Sequence, residues 1–239
     1  MSASGRSAGP EVIWARPERA GRGPRPTHSR AEIAAAAVRV ADAEGIDAVS
    51  MRRVAAEIGC ATMSLYNYVP RKEDLYELMV DAVSAEHDLP AAPSGDWRAD
   101  MLLLARQGRA LMHRHPWLPA LMSPVFGFSP NVLRYLEWGL AALDGLDVPY
   151  GTKMELIAMI NGVVTTYVRN EVFMAERERT SPYPPGAELA ARGAYLGQVV
   201  AGGDYPHLAA AFMEDPGPID YDAVFERALT RVLDGFAVA

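Results

Sequence analysis

Between Ser50 and Lys72 the chain carries polar side chains at helical spacing around a single glycine, and their chemistry is that of recognition rather than bond-making. Thr62 and Ser64 offer hydroxyls to phosphate oxygens or base edges, and the Asn67 carboxamide can pair bidentately with adenine. Met63 can lie against a thymine methyl, and the Tyr66 hydroxyl can reach a phosphate. Arg52 can address a guanine edge or the backbone, and Lys72 is placed for a phosphate. With Tyr68, at the end of the same run, these are the candidate DNA-contacting residues.

Such side chains read a groove only when a short helix on a rigid support presents them. The segment 51–69, MRRVAAEIGCATMSLYNYV, meets that need. Two helices crossing steeply require a small residue at the contact, here Ala55. They also require a residue tolerant of positive φ between them, here Gly59. Val54, Ile58, Cys60, Leu65 and Tyr68 fall on the inward side, which leaves Thr62, Met63, Ser64, Tyr66 and Asn67 outward. Spacing alone admits a second reading, an ordinary helical hairpin whose polar face meets water.

The flanking chain supplies the support. Ser29-Arg-Ala-Glu32 is a capping box that opens a helix with Ile33, Ala37, Val40 and Ala41 on one face, and Gly45 stops it. Ser50 caps a second helix ending at Gly59, and a third is predicted over about 61–68. Pro70 restarts the chain into a helix with Glu73 and Asp74 in its first turn, where the macrodipole favours acids. Residues 1–28 are broken by Pro10, Pro17, Pro24 and Pro26 and read as a mostly disordered basic arm. Beyond Pro90 and Pro93 the pattern stays helical, with helices predicted near 96–114, 117–122, 129–144, 150–178, 187–202 and 219–236. The fold class is therefore all-α. Residues 29–75 read as a three-helix DNA-binding domain with a helix-turn-helix, and 76–239 as a helical ligand-binding and dimerisation domain.

The run from Ser50 to Val83, SMRRVAAEIGCATMSLYNYVPRKEDLYELMVDAV, resembles the DNA-binding signature of TetR-family regulators. Ser50, Gly59, Leu65-Tyr66, Tyr68-Val69 and Lys72 carry the likeness, together with the preceding AAAAVRVADAEGIDAVS. The later part is more loosely similar to the Tet-repressor-type ligand and dimer domain, through Gly95-Asp96-Trp97-Arg98, His115-Pro116-Trp117 and a closing amphipathic helix. What the resemblance implies is a homodimer on an inverted repeat of double-stranded DNA, usually a repressor released by a small-molecule effector. Activators and corepressor-dependent members of the same fold exist, so the sign of regulation stays open.

Soft and aromatic residues in the middle of the chain are candidates for the effector pocket: Met101, Met112, Trp117, Met122, Phe126 and Trp138, with Asn161 and Thr165 as polar groups within apolar runs. Each can equally be plain core. Leu156, Ile157, Ile160, Val163, Val164 and Tyr167, and then Val224, Phe225, Ala228, Leu229, Val232 and Phe236, form broad apolar faces assigned to a dimer bundle.

Other classes, among them a helical protein-binding module that has lost DNA affinity, find less support. A net charge of -7 looks wrong for a DNA binder, yet residues 1–80 carry 11 basic against 10 acidic side chains, and the acid sits in the remainder. No phosphate loop, nucleophile elbow or paired-ligand motif speaks for an enzyme, and no cofactor is expected. His113 and His115, two apart, point to different helix faces and make no metal site. The single cysteine, Cys60, sits where the motif needs a small hydrophobe, which argues against a redox role. One cysteine, no signal segment and no apolar run of roughly 18 residues suit a cytoplasmic protein with no membrane partner.

Overall fold

The computed structural model describes residues 12–16, 28–122, 128–213 and 220–236, and among them the regular structure is entirely helical. Cap chemistry sets the first helices. Ser29 Oγ accepts the Glu32 N–H at 3.1 Å while Glu32 accepts the Ser29 N–H at 2.9 Å, opening α1 (Arg30–Glu44). Gly45, at φ +84°, closes it. Ser50 Oγ takes the Arg53 N–H at 3.1 Å to open α2 (Met51–Glu57).

The next helix, α3 (Thr62–Leu65), is shorter than predicted. Beyond Leu65 the chain tightens into a turn, with the Tyr68 and Val69 N–H groups both reaching the Leu65 carbonyl at 3.0 Å. That turn delivers Pro70 to the start of α4 (Lys72–Ser84), where Asp74 accepts the Arg71 N–H at 3.1 Å. α1 packs on both α4 and α2, and its alanines 34, 36, 37 and 41 are buried with a core of Ile33, Val40, Val54, Leu65, Leu75 and Met79.

Asp96 caps α5 (Trp97–Arg114), accepting the Arg98 and Ala99 N–H groups at 3.0 and 3.2 Å. After the short α6 (Leu118–Leu121), α7 (Pro130–Ala142) packs on α4 and α5. Gly139 permits the closest approach: a Cβ there would stand 3.1 Å from Ile157 Cδ1 and 3.3 Å from Leu104 Cδ1. The long α8 (Tyr150–Thr180) is followed by α9 (Ala187–Ala201), α10 (Pro206–Met213) and α11 (Tyr221–Phe236). α10 falls in a stretch for which the sequence pattern predicts no helix.

The chain falls into two compact units, 1–165 and 166–239. In the second, the Tyr167 and Phe225 rings meet edge-on at 5.7 Å, and Phe225, Leu229 and Leu233 are buried. Of the apolar faces assigned to a dimer, Leu156, Ile157, Ile160, Val164, Phe225 and Leu229 are buried within the single chain, while Val163, Tyr167, Val224, Ala228, Val232 and Phe236 are half-buried. The expected arm differs in part, since Ile13–Ala15 forms a 3-10 turn with Ile13 only 1% exposed. Among the described residues no helix is long and apolar enough to cross a membrane.

Candidate nucleic-acid interface and effector cavity

Gly59 turns the chain between α2 and α3 at φ +72°, as a helix-turn-helix requires. Leu65, at 0% exposure, anchors α3 from below, and its neighbour Met63 stands 75% exposed above. Ser64, Tyr66 and Asn67 are exposed with it, while Thr62 and Tyr68 are half-buried at the edges. The structure thus gathers six of the expected contact residues on one short helix and its following turn. Ile58 and Cys60 are half-buried rather than fully inward, and Cys60 is a free thiol.

The two arginines of α2 have different surroundings. Arg53 binds Glu44 at 2.7 Å and Glu57 at 2.9 Å, and holds the Glu57 carboxyl below its ordinary range. Arg52 is exposed. Lys72, half-buried at the start of α4, sets its ammonium 5.2 Å from the Tyr76 ring centroid, which steadies a long side chain.

Below this domain a cavity of about 100 Å³ lies among α4, α5, α6, α7 and the first half of α8. Its wall is apolar, with Val80, Leu111, Met112, Leu118, Leu121, Met122 and Val164, and carries four polar residues: Ser84, His87, Tyr135 and Asn161. The Tyr135 hydroxyl donates to Asn161 Oδ1 at 2.7 Å, and burial pushes the phenol up to about 12. His87 Nδ1 lies 2.9 Å from the Ser84 carbonyl, an acceptor only, so Nδ1 carries the proton. Burial pushes the imidazole below its ordinary value, which leaves Nε2 an acceptor in the neutral ring. The His87 and Tyr135 rings lie 4.8 Å apart.

Of the pocket residues expected from sequence, Met112, Met122 and Asn161 line this cavity. Met101 is buried elsewhere in the core, Thr165 is half-buried off the lining, and Phe126 lies outside the described residues. Trp117 and Trp138 do not line it either; their N–H groups go to Asp42 at 2.6 Å and to the Pro90 carbonyl at 2.8 Å. Sequence reading passed over His87 and Tyr135. The signal was there for His87, which continues the α4 stripe at the spacing of Val80, Ser84 and His87.

A larger hollow, about 250 Å³, opens between the end of α8 and the start of α9 beside Phe173, Tyr183 and Leu189. Its polar groups satisfy one another, since Arg177 pairs with Glu188 and the Ser181 hydroxyl donates to Glu188 at 3.0 Å. The polar groups of this hollow are largely charged and engaged with one another, whereas the smaller cavity sets a few neutral polar groups in an apolar wall, the pattern of a ligand site. Among the described residues no group of three or more His, Cys, Asp or Glu side chains is placed to hold a metal.

Comparison with known proteins agrees with this geometry. Residues 33–79 match the model described as "Bacterial regulatory proteins, tetR family", and residues 89–239 match "Tetracyclin repressor-like, C-terminal domain". The HTH-type transcriptional repressor DrrR1 of Streptomyces coeruleorubidus is 38% identical over 231 residues, 95% of this chain and 84% of that protein. An HTH-type transcriptional regulator of Saccharopolyspora erythraea is 32% identical over 95% of this chain and 92% of its own. Among solved structures, apo ActR from Streptomyces coelicolor superposes with a TM-score of 0.71 at 23% identity, covering 87% of this chain and 96% of ActR. The chain belongs to the TetR family of bacterial helix-turn-helix transcriptional regulators, with a tetracycline-repressor-like C-terminal domain.

Proposed function

We propose that the protein is a homodimeric repressor that binds an inverted-repeat operator through α3 and is released by a small-molecule, mostly apolar effector. In this reading residues 29–75 read DNA, and 76–239 sense the effector and dimerise. The observation that carries it is the α3 surface, where Met63, Ser64, Tyr66 and Asn67 stand exposed over a fully buried Leu65 and Val69. Polar side chains on a short, rigidly seated helix are what a major groove accepts.

The repressor sense is supported by likeness to DrrR1, which is named a repressor. An effector is supported by the cavity and by ActR, a protein of the same fold solved in complex with actinorhodin and with (S)-DNPA. Dimerisation is supported by α9, which buries no residue, and by the exposed Met159, Phe173, Met174, Leu189 and Tyr195. An effector seated between α4 and α6 acts on DNA affinity only through its preference for one placement of the reading domain over another.

Selection of bound sequences from a random double-stranded DNA library at near-physiological salt tests the reading. Enrichment of one inverted repeat is the expected result. Folded protein that enriches no sequence, or enriches only a single half-site as a monomer, would overturn it.

A further inference from the structure

The segment Val12–Arg16 precedes the DNA-binding helices by more than a dozen residues, yet it is built into them. Ile13 is 1% exposed. Arg30, the first residue of α1, donates from Nη1 to the Ile13 carbonyl at 2.9 Å and to the Arg16 carbonyl at 3.0 Å. The same guanidinium donates from Nε to the carbonyl of Tyr68 at 3.4 Å, in the turn that ends α3. On the far side, the buried indole N–H of Trp14 lies near Glu77 of α4 without closing a hydrogen bond.

From these contacts we infer that Arg30 and Val12–Arg16 form a brace that sets the pitch of α3 against DNA, making Arg30 and Ile13 positioning residues for operator recognition. The physical case is geometric. With only Thr62–Leu65 in α-helical form, the C-terminal end of α3 is fixed by the turn that follows it, through the buried Val69 and the Tyr68 carbonyl that Arg30 holds. The exposed Tyr66 and Asn67 sit between the Leu65 anchor and the Tyr68 carbonyl that Arg30 holds. A planar guanidinium can hold three carbonyls in fixed directions, whereas an ammonium is a single point charge on a flexible stem. Ile13 supplies the weight of the brace, because unseating it from the core exposes a large apolar side chain. The proposal rests on α3 being the DNA-facing helix, but part of its test needs no DNA.

Ile13→Asn and Arg30→Met are to be compared with the natural chain, with Arg30→Lys as the conservative variant. Affinity is measured by fluorescence anisotropy for the duplex enriched in the library selection and for a scrambled duplex, across a salt series. In Ile13→Asn and Arg30→Met, affinity for the enriched duplex is expected to fall at least about tenfold while the scrambled duplex and the salt slope are unchanged, because no phosphate contact is lost. Arg30→Lys is expected to rescue little. In the free protein, amide exchange at Tyr68 and Val69 is expected to quicken at least about tenfold in Ile13→Asn while Val54 in α2 keeps its protection.

Unchanged exchange at Tyr68 and Val69 would overturn the brace whatever the DNA result. Uniform loss of protection across α1–α4 would overturn it too, since that marks a merely structural role. A shallower salt slope with equal loss on both duplexes would instead make Arg30 a phosphate contact. If the natural chain selects no duplex, the DNA-binding assignment of α3 fails while the exchange result still decides the brace.

Discussion

The indole N–H of Trp117 donates to Oδ1 of Asp42 at 2.6 Å, joining the start of α6 to the last turn of α1. His115 adds to the same junction, with Nδ1 2.8 Å from Asp42 and Nε2 3.2 Å from Glu86. Leu118 and Leu121 of α6 line the cavity, so the residues that would feel an effector are covalent neighbours of those that grip the DNA-binding domain.

Replacing Asp42 tests this junction. Asp42→Ala leaves the buried Trp117 N–H without its acceptor, a cost of about 1–3 kcal/mol. At roughly 2–4 °C per kcal/mol for a chain of this size, the melting temperature is expected to drop by several degrees. Asp42→Asn keeps an acceptor and is expected to lose less. Equal melting temperatures for all three proteins would remove the junction from the account.

On the reading surface, Tyr66→Ala combined with Lys72→Ala is expected to abolish operator binding while leaving the oligomeric state intact. Two contacts worth roughly 1–2 kcal/mol each amount to a loss of about 30-fold or more. Lys72→Ala alone is expected to make the plot of log affinity against log salt shallower by about one. Undiminished affinity in the double variant would reject α3 as the groove-facing helix.

Tyr135 provides an alkaline signature. Burial raises its phenol to about 12, so the folded chain prefers the neutral form. The stability that this contributes is fully present below the ordinary tyrosine value near 10 and is lost as pH rises from there towards about 12. Tyr135→Phe is expected to fall off less steeply than the natural chain over that window in denaturant melts. Parallel curves for the two would show that the phenol is not held as described.

His87 is expected to show the opposite sense. Its value is lowered by burial and, secondarily, by the Arg114 charge, so the folded state favours the neutral ring. That contribution is present above the ordinary histidine value near 6.5 and is lost as pH falls through the lowered one. An NMR titration of the ring protons is expected to place the midpoint below 6.5; a midpoint at or above it would contradict a neutral ring with Nε2 as acceptor.

Local chemistry made the reading domain legible in advance. Ser29, Ser50, Gly45 and Gly59 are caps and turns whose residue types dictate their geometry, and each has the role its type implied. The cavity was harder to read because Met and aromatic residues serve core and pocket alike. Met101 and Trp117 differ from Met112 only in which neighbours they meet, and that depends on how α5, α6 and α7 pack. The seating of Ile13 was hidden for another reason. A short apolar run, Val12-Ile13-Trp14-Ala15, among prolines and charged residues is too brief to show a period, and the residues it meets, Arg30 and Glu77, lie 17 residues from Ile13 and 63 from Trp14 in sequence.

The central claim, that two copies of α3 read one DNA face, is tested most directly by half-site spacing. Two recognition helices related by a two-fold axis demand half-sites about one helical turn apart, or a multiple of it. Inserting half a turn, about five base pairs, at the centre of the enriched duplex places the half-sites on opposite faces. Affinity is expected to fall to that of the scrambled duplex. Undiminished binding to the lengthened duplex would contradict a paired, symmetric reading of DNA by α3.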